Sequence, residues 1–111
     1  MTEQDIEKKL IFVESLFEKN GAIQEDINEK NREKYGQRRT FFYEGKYYRV
    51  DFLKFDEDTQ PYMSISCTDE EKFAKIGLME DVEALSFDMT DEELDTQVRR
   101  VFGIEPYPEE N

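Results

Sequence analysis

With 111 residues the chain is long enough for one domain with a single modest core and too short for two. Its 37% hydrophobic and 14% aromatic residues suffice for that core, while 39% charged residues and a mean hydropathy of -0.88 point to a heavily solvated surface. The net charge of -13 argues against nucleic acid as the main partner, since a field of that sign repels phosphates.

Thr2 and Asp5 suit the start of a helix, the hydroxyl capping backbone N–H groups and the early acid complementing the dipole. That helix is expected to end near Lys19, where Asn20-Gly21 supplies a left-handed stop. Ile6, Leu10, Val13 and Phe17, with Leu16 at the margin, share one stripe at helical spacing. Ile11 and Phe12 project from the far side of it, which fits either a helix buried on more than one side or an apolar patch for a partner. Ile23 and Ile27 fit a short strand or a helical turn, with the strand favoured. One segment is locally basic, Lys30, Arg32, Lys34, Arg38 and Arg39 against Glu29 and Glu33, and reads as a solvated connection, with a phosphate or acidic-partner contact as the alternative.

The strongest signal is the aromatic stretch Arg38 to Phe55, which reads as a β-hairpin turning at Glu44-Gly45, because glycine enters positive φ without steric cost. A two-residue loop places Phe41, Tyr43, Tyr48, Val50 and Phe52 on one face, the better core, and Phe42, Tyr47, Arg49, Asp51, Leu53 and Phe55 on the other. Asp56 to Pro61 is a polar turn. Tyr62 to Thr68 alternates strictly, with Met63, Ile65 and Cys67 inward and Ser64 and Ser66 on an expected wet face. Thr68-Asp69-Glu70-Glu71 has capping-box spacing ahead of a short helix carrying Phe73 and Ile76, closed by Gly77, with Leu78 folding back onto it. Residues 79–89 fit a strand or a turn of helix, and Leu85, Phe87 and Met89 at period two favour the strand. Thr90 and Glu93 open a last helix whose stripe is Leu94, Val98, Val101 and Phe102, ending at Gly103.

The sum is an α+β domain over residues 1–104: a three- to four-stranded antiparallel sheet built around the central hairpin, with the N- and C-terminal helices packed on one face. Residues 105–111 form an acidic, proline-containing tail. The N-terminal helix, the hairpin Phe41-Phe42-Tyr43-Glu44-Gly45-Lys46-Tyr47-Tyr48, the further strand and the C-terminal helix together resemble YkuJ-like small proteins of the Bacillus group. Residues 69–89 stand as an insertion relative to that layout. The resemblance implies two helices against an antiparallel sheet, and it implies no activity.

The chemistry is defined mainly by what is missing. The chain has no histidine and one cysteine, so neither an ordinary serine or cysteine triad nor an intrachain disulfide can be assembled. Cys67 falls on the apolar face of its strand and reads as a small buried hydrophobe. Asp69 to Glu71 and Asp91 to Glu93 are explained as helix first turns rather than as catalytic carboxylates. Asp56, Asp58 and Gln60 imitate the start of a calcium loop, but Pro61 stands where that loop needs glycine. No catalytic residue, cofactor or metal ligand is therefore assigned. No apolar run approaches the roughly 20 residues of a membrane span, and the N-terminus lacks a signal peptide's pattern, so a cytoplasmic location without membrane contact is expected.

Residues 1–55 hold eleven acids and eleven bases, so the whole acidic excess lies in the second half. These features point to a small acidic protein-interaction or regulatory module, not an enzyme, that binds a protein partner or its own copy as a homodimer. Ile11, Phe12, Phe42, Tyr47, Leu53 and Phe55 are the candidate contact residues, being apolar side chains that one small core cannot use. The alternative is an acidic inhibitor of a basic partner, of the immunity-protein or DNA-mimic type.

Overall fold

The computed structural model describes residues 2–27, 39–54 and 56–109; the basic run from Lys30 to Arg38 and the candidate contact Phe55 lie outside them. Helix α1 (Glu3–Lys19) opens in a capping box, Thr2 Oγ1 accepting the Asp5 N–H and Asp5 Oδ2 accepting the Thr2 N–H, both at 3.1 Å. It ends at Asn20, and Gly21 follows at φ 106°, the left-handed conformation that the Asn-Gly pair announces.

Five strands follow the chain into one antiparallel sheet of order β1-β2-β3-β4-β5: β1 (Ile23–Glu25), β2 (Thr40–Tyr43), β3 (Lys46–Leu53), β4 (Tyr62–Thr68) and β5 (Glu80–Ser86). The expected three or four strands become five because both ambiguous segments pair, β1 on β2 and β5 on β4. Neither announces itself strongly: β1 is three residues long, and β5 carries three acids that mask its alternation.

The hairpin register is the two-residue one, with Tyr43 opposite Lys46 and Phe41 opposite Tyr48. Glu44 at φ 44° and Gly45 at φ 86° make the left-handed pair that such a loop needs. Phe41, Tyr48 and Val50 are buried, and Tyr43 and Phe52 pack half-buried against them. The same face carries Met63 and Ile65 from β4 and Leu85 from β5.

Two helices cover that face. Helix α3 (Asp91–Val101) starts in a second capping box, between Thr90 and Glu93, and buries Leu94 and Val98, with Phe102 just beyond it. The ring of Phe17 on α1 meets Phe41 edge-on at 5.4 Å and stacks with Phe102 at 5.7 Å. Phe102 in turn lies 4.4 Å from Tyr43 and 4.8 Å from Tyr48 between ring centroids. Asp95 locks the helices at their rim, accepting from Lys19 Nζ at 3.1 Å and from Asn20 Nδ2 at 2.9 Å. Burial works to raise the Asp95 pKa, but the Asn20 and Lys19 hydrogen bonds outweigh it and hold the carboxyl below its ordinary value.

Helix α2 (Glu71–Ile76) departs from the expected capping box. Its N-cap is Glu70, which makes no side-chain capping bond, while Thr68 Oγ1 accepts the Glu70 N–H at 3.2 Å. Thr68 still pairs with Tyr47 in the ladder, so its hydroxyl serves the turn out of β4 rather than a helix start. Gly77 closes α2 at φ 76°, and the Leu78 N–H returns to the Phe73 carbonyl at 2.9 Å.

Ser64 and Ser66 are buried rather than wet. They pair with Asp51 and Arg49 of β3, on the face away from α1 and α3, and such short side chains are shaded by longer neighbours. A Cβ at Gly77 would stand 3.1 Å from Nη1 of Arg49, so the end of α2 closes over that guanidinium. Arg49 also approaches Asp51 at 3.8 Å.

Because Phe17 touches the hairpin and α3 at once, Phe17→Ala is expected to cost about 3–5 kcal/mol, the usual range for a buried phenylalanine. Chemical denaturation measures it, and a loss below about 1 kcal/mol would remove Phe17 from the centre of the core.

Candidate functional site

The candidate contacts read from sequence separate into two places. Ile11 and Phe12 lie on α1, over one face of the sheet, whereas Phe42, Tyr47 and Leu53 lie on the other. Ile11 is exposed. Phe12 packs half-buried against the core, and it lines a groove with Leu16 of α1 and Asp91 and Asp95 of α3. Phe42 and Tyr47 face each other across the hairpin with ring centroids 4.9 Å apart, both half-buried, and Leu53 is half-buried as well. No single contact can therefore bury all of them.

Three further exposed apolar residues lie close in sequence where α2 passes into β5. Ile76 is 48% exposed, Leu78 61% and Val82 42%. The Leu78 backbone N–H returns to α2, and its largely exposed side chain lines an open cleft together with Phe73 of that helix. That cleft, of about 490 Å³, is lined among others by Lys46, Cys67, Phe73, Leu78, Met79 and Glu80. Its position follows from the register, because Cys67 pairs with Glu80 where β4 and β5 leave the sheet, and α2 caps that end.

Cys67 is half-buried at this cleft rather than enclosed. Burial is the largest influence on its thiol and raises the pKa, Lys46 pulls it back, and Glu80 and Asp69 raise it again. A protonated thiol is a poor nucleophile, so access without activation is the result. Alkylation of native Cys67 at pH 7.5 is expected to run several-fold slower than that of a free thiol, and Glu80→Gln to speed it. A rate at or above the free-thiol value would make Cys67 a nucleophile after all.

Asp56, the first acid of the calcium-loop imitation, is committed to its own turn. Asp56 Oδ1 accepts from the Asp58 and Thr59 N–H groups and from the Thr59 hydroxyl at 2.7–2.9 Å, which holds its pKa below the ordinary value and commits it to the turn. Among the described residues no group of three His, Cys, Asp or Glu side chains is placed to hold a metal ion. No helix among them is long and apolar enough to cross a membrane.

Glu14 is the exception that sequence reasoning missed. It sits on α1 beside the apolar stripe, fully buried, and Oε2 accepts the Arg39 backbone N–H at 3.2 Å while Oε1 has no hydrogen-bond partner among the described residues. Burial pushes its pKa up to about 7, against the lowering influence of that N–H and the Arg39 charge. An acid whose folded pKa is raised contributes stability in full below its unfolded value near 4.5 and loses it as pH rises through about 7. A shift of this size corresponds to about 3 kcal/mol. Glu14→Gln cannot ionise, so its stability relative to wild type is expected to climb between pH 4.5 and 8. A difference that stays flat across that window would show Glu14 to be charged throughout.

Comparison with protein-family models, with curated proteins and with solved structures found no match to this chain.

Proposed function

We propose that this chain is a non-catalytic protein-interaction module, and that its contact surface is the corner where α2 passes into β5. The observation that supports this reading is the exposure of Ile76, Leu78 and Val82 at the end of α2 and in β5, next in sequence to a cleft that Phe73, Leu78 and Met79 line. Apolar side chains gathered at one place, with charged groups such as Lys46 and Glu80 at the rim, have the anatomy of a binding patch rather than of scattered surface residues.

A second copy is a poorer occupant than a different protein. The residues that the sequence offers for a dimer contact are split between the two sides of the sheet, and each copy carries -13. The reading of an acidic inhibitor of a basic partner is favoured by one observation of its own, the three acids and no base in β5. Both readings place the protein among binders and assign it no cofactor.

Affinity capture from extract of the native cell, with wild type and two variants of unchanged melting temperature, tests the surface. A partner retained by Leu53→Glu and reduced at least about tenfold by Leu78→Glu is expected, since burying a carboxylate in an apolar contact costs more than about 1.4 kcal/mol. Loss with Leu53→Glu and retention with Leu78→Glu would move the site to the opposite face of the hairpin.

A further inference from the structure

Strand β5 is the last of the sheet and among the described residues pairs only with β4, so the backbone N–H and C=O groups of alternate residues along its seven turn outward at the other edge. The sheet's opposite edge, β1, is three residues long and offers little to pair with. The β5 edge carries Glu80, Asp81 and Glu83. The Glu83 carboxylate accepts from Gln97 Nε2 at 3.2 Å and from the Tyr107 hydroxyl at 2.9 Å, which fixes its place beside the strand.

The charge decides what can pair there. Two copies joined edge to edge would bring these acids against one another at the spacing of cross-strand neighbours, roughly 5 Å, where like charges destabilise. An extended segment with lysine or arginine at alternate positions reverses the sign of the contacts on the face that carries Glu80 and Glu83, Asp81 lying on the other face. A register shift between Ile65 and Ser66 leaves Val82 as an extra residue in β5, a bulge that a flexible segment follows more readily than a second rigid sheet. At the Glu80 end of the strand the cleft beside Leu78 is open for an apolar side chain.

We infer that the free edge of β5 takes up an extended, basic segment of a partner protein as a sixth strand, with one apolar residue of that segment seated in the cleft beside Leu78. The inference rests on the reading of the α2–β5 corner as the contact surface. It adds a mode to that surface: main-chain hydrogen bonds hold the segment, and alternate side chains select it.

The probe is a synthetic nine-residue peptide alternating lysine with threonine and ending in leucine, compared with its glutamate counterpart and with an analogue N-methylated at alternate amides. Fluorescence anisotropy gives affinities, and amide resonances of the labelled protein give the site. The lysine peptide is expected to bind and to shift residues 80–86, the glutamate peptide not to bind, and N-methylation to weaken binding at least about tenfold by removing donors while keeping the charges. The double variant Glu80→Lys, Asp81→Lys is expected to lose at least about tenfold as well, with its spectrum unchanged away from β5. Absence of binding by the lysine peptide, or binding indifferent to N-methylation, would overturn the added strand. If Leu78→Glu still abolished partner capture in that event, the corner would stand without the strand. Peptide binding at β5 with partner capture indifferent to Leu78 would keep the strand and remove the corner.

Discussion

The contact between Phe17 and Phe102 is the constraint on which the architecture depends. These rings come from opposite ends of the chain and both rest on the aromatic face of the hairpin, Phe17 against Phe41 and Phe102 against Tyr43 and Tyr48. Aromatic rings bring large apolar area with few rotatable bonds, so a small domain gains much burial for little side-chain entropy. Fixing this pair sets where α1 and α3 lie, and the Asp95 contacts to Lys19 and Asn20 then fix their rotation. With both helices spent on one face, the end of α2 closes over Arg49 on the other.

Much of this is legible in the residues because the signals are local. Thr2 with Asp5 and Thr90 with Glu93 mark helix starts through bonds spanning three residues, and Glu44-Gly45 fixes a register that the aromatic alternation then extends. Tyr62 to Thr68 shows its observed bounds in sequence for the same reason. The remainder has a different cause. Whether Ser64 is wet, whether Leu78 is covered and whether Phe12 is bare depend on which elements arrive from elsewhere, and no periodicity encodes that. The sites follow suit. The α2–β5 corner arises from residues at positions 46, 67 and 73–80 brought together by pairing, and Glu14 looks in sequence like any solvated acid of a helix. Its one warning is position, next to Val13 and one turn after Leu10 on the buried stripe.

The acidic residues divide by the work they do. Asp5, Glu93, Asp56 and Asp95 each accept defined hydrogen bonds that hold their pKa values down, so these carboxylates belong to caps, a turn and a helix lock. Glu14 goes the other way, since burial favours its neutral form. On β5, Glu83 accepts from Gln97 and Tyr107, and Glu80 and Asp81 add their charge to the same strand. An edge strand so charged is protected against stacking on its own kind, which is one of the general ways sheets avoid unwanted pairing, and the same charge sets the sign of any segment admitted.

Glu44 has a consequence for cooperativity. A side chain in the left-handed region costs about 1 kcal/mol relative to glycine, so the reversal at Glu44-Gly45 runs uphill when considered alone. The deficit is met by the ladder beyond the loop and by Phe17 and Phe102 resting on its aromatic face. The hairpin is thus not an autonomous unit to which helices were added. Its closure is conditional on partners from both ends of the chain, and that conditionality makes a sheet of short strands behave as one all-or-none body.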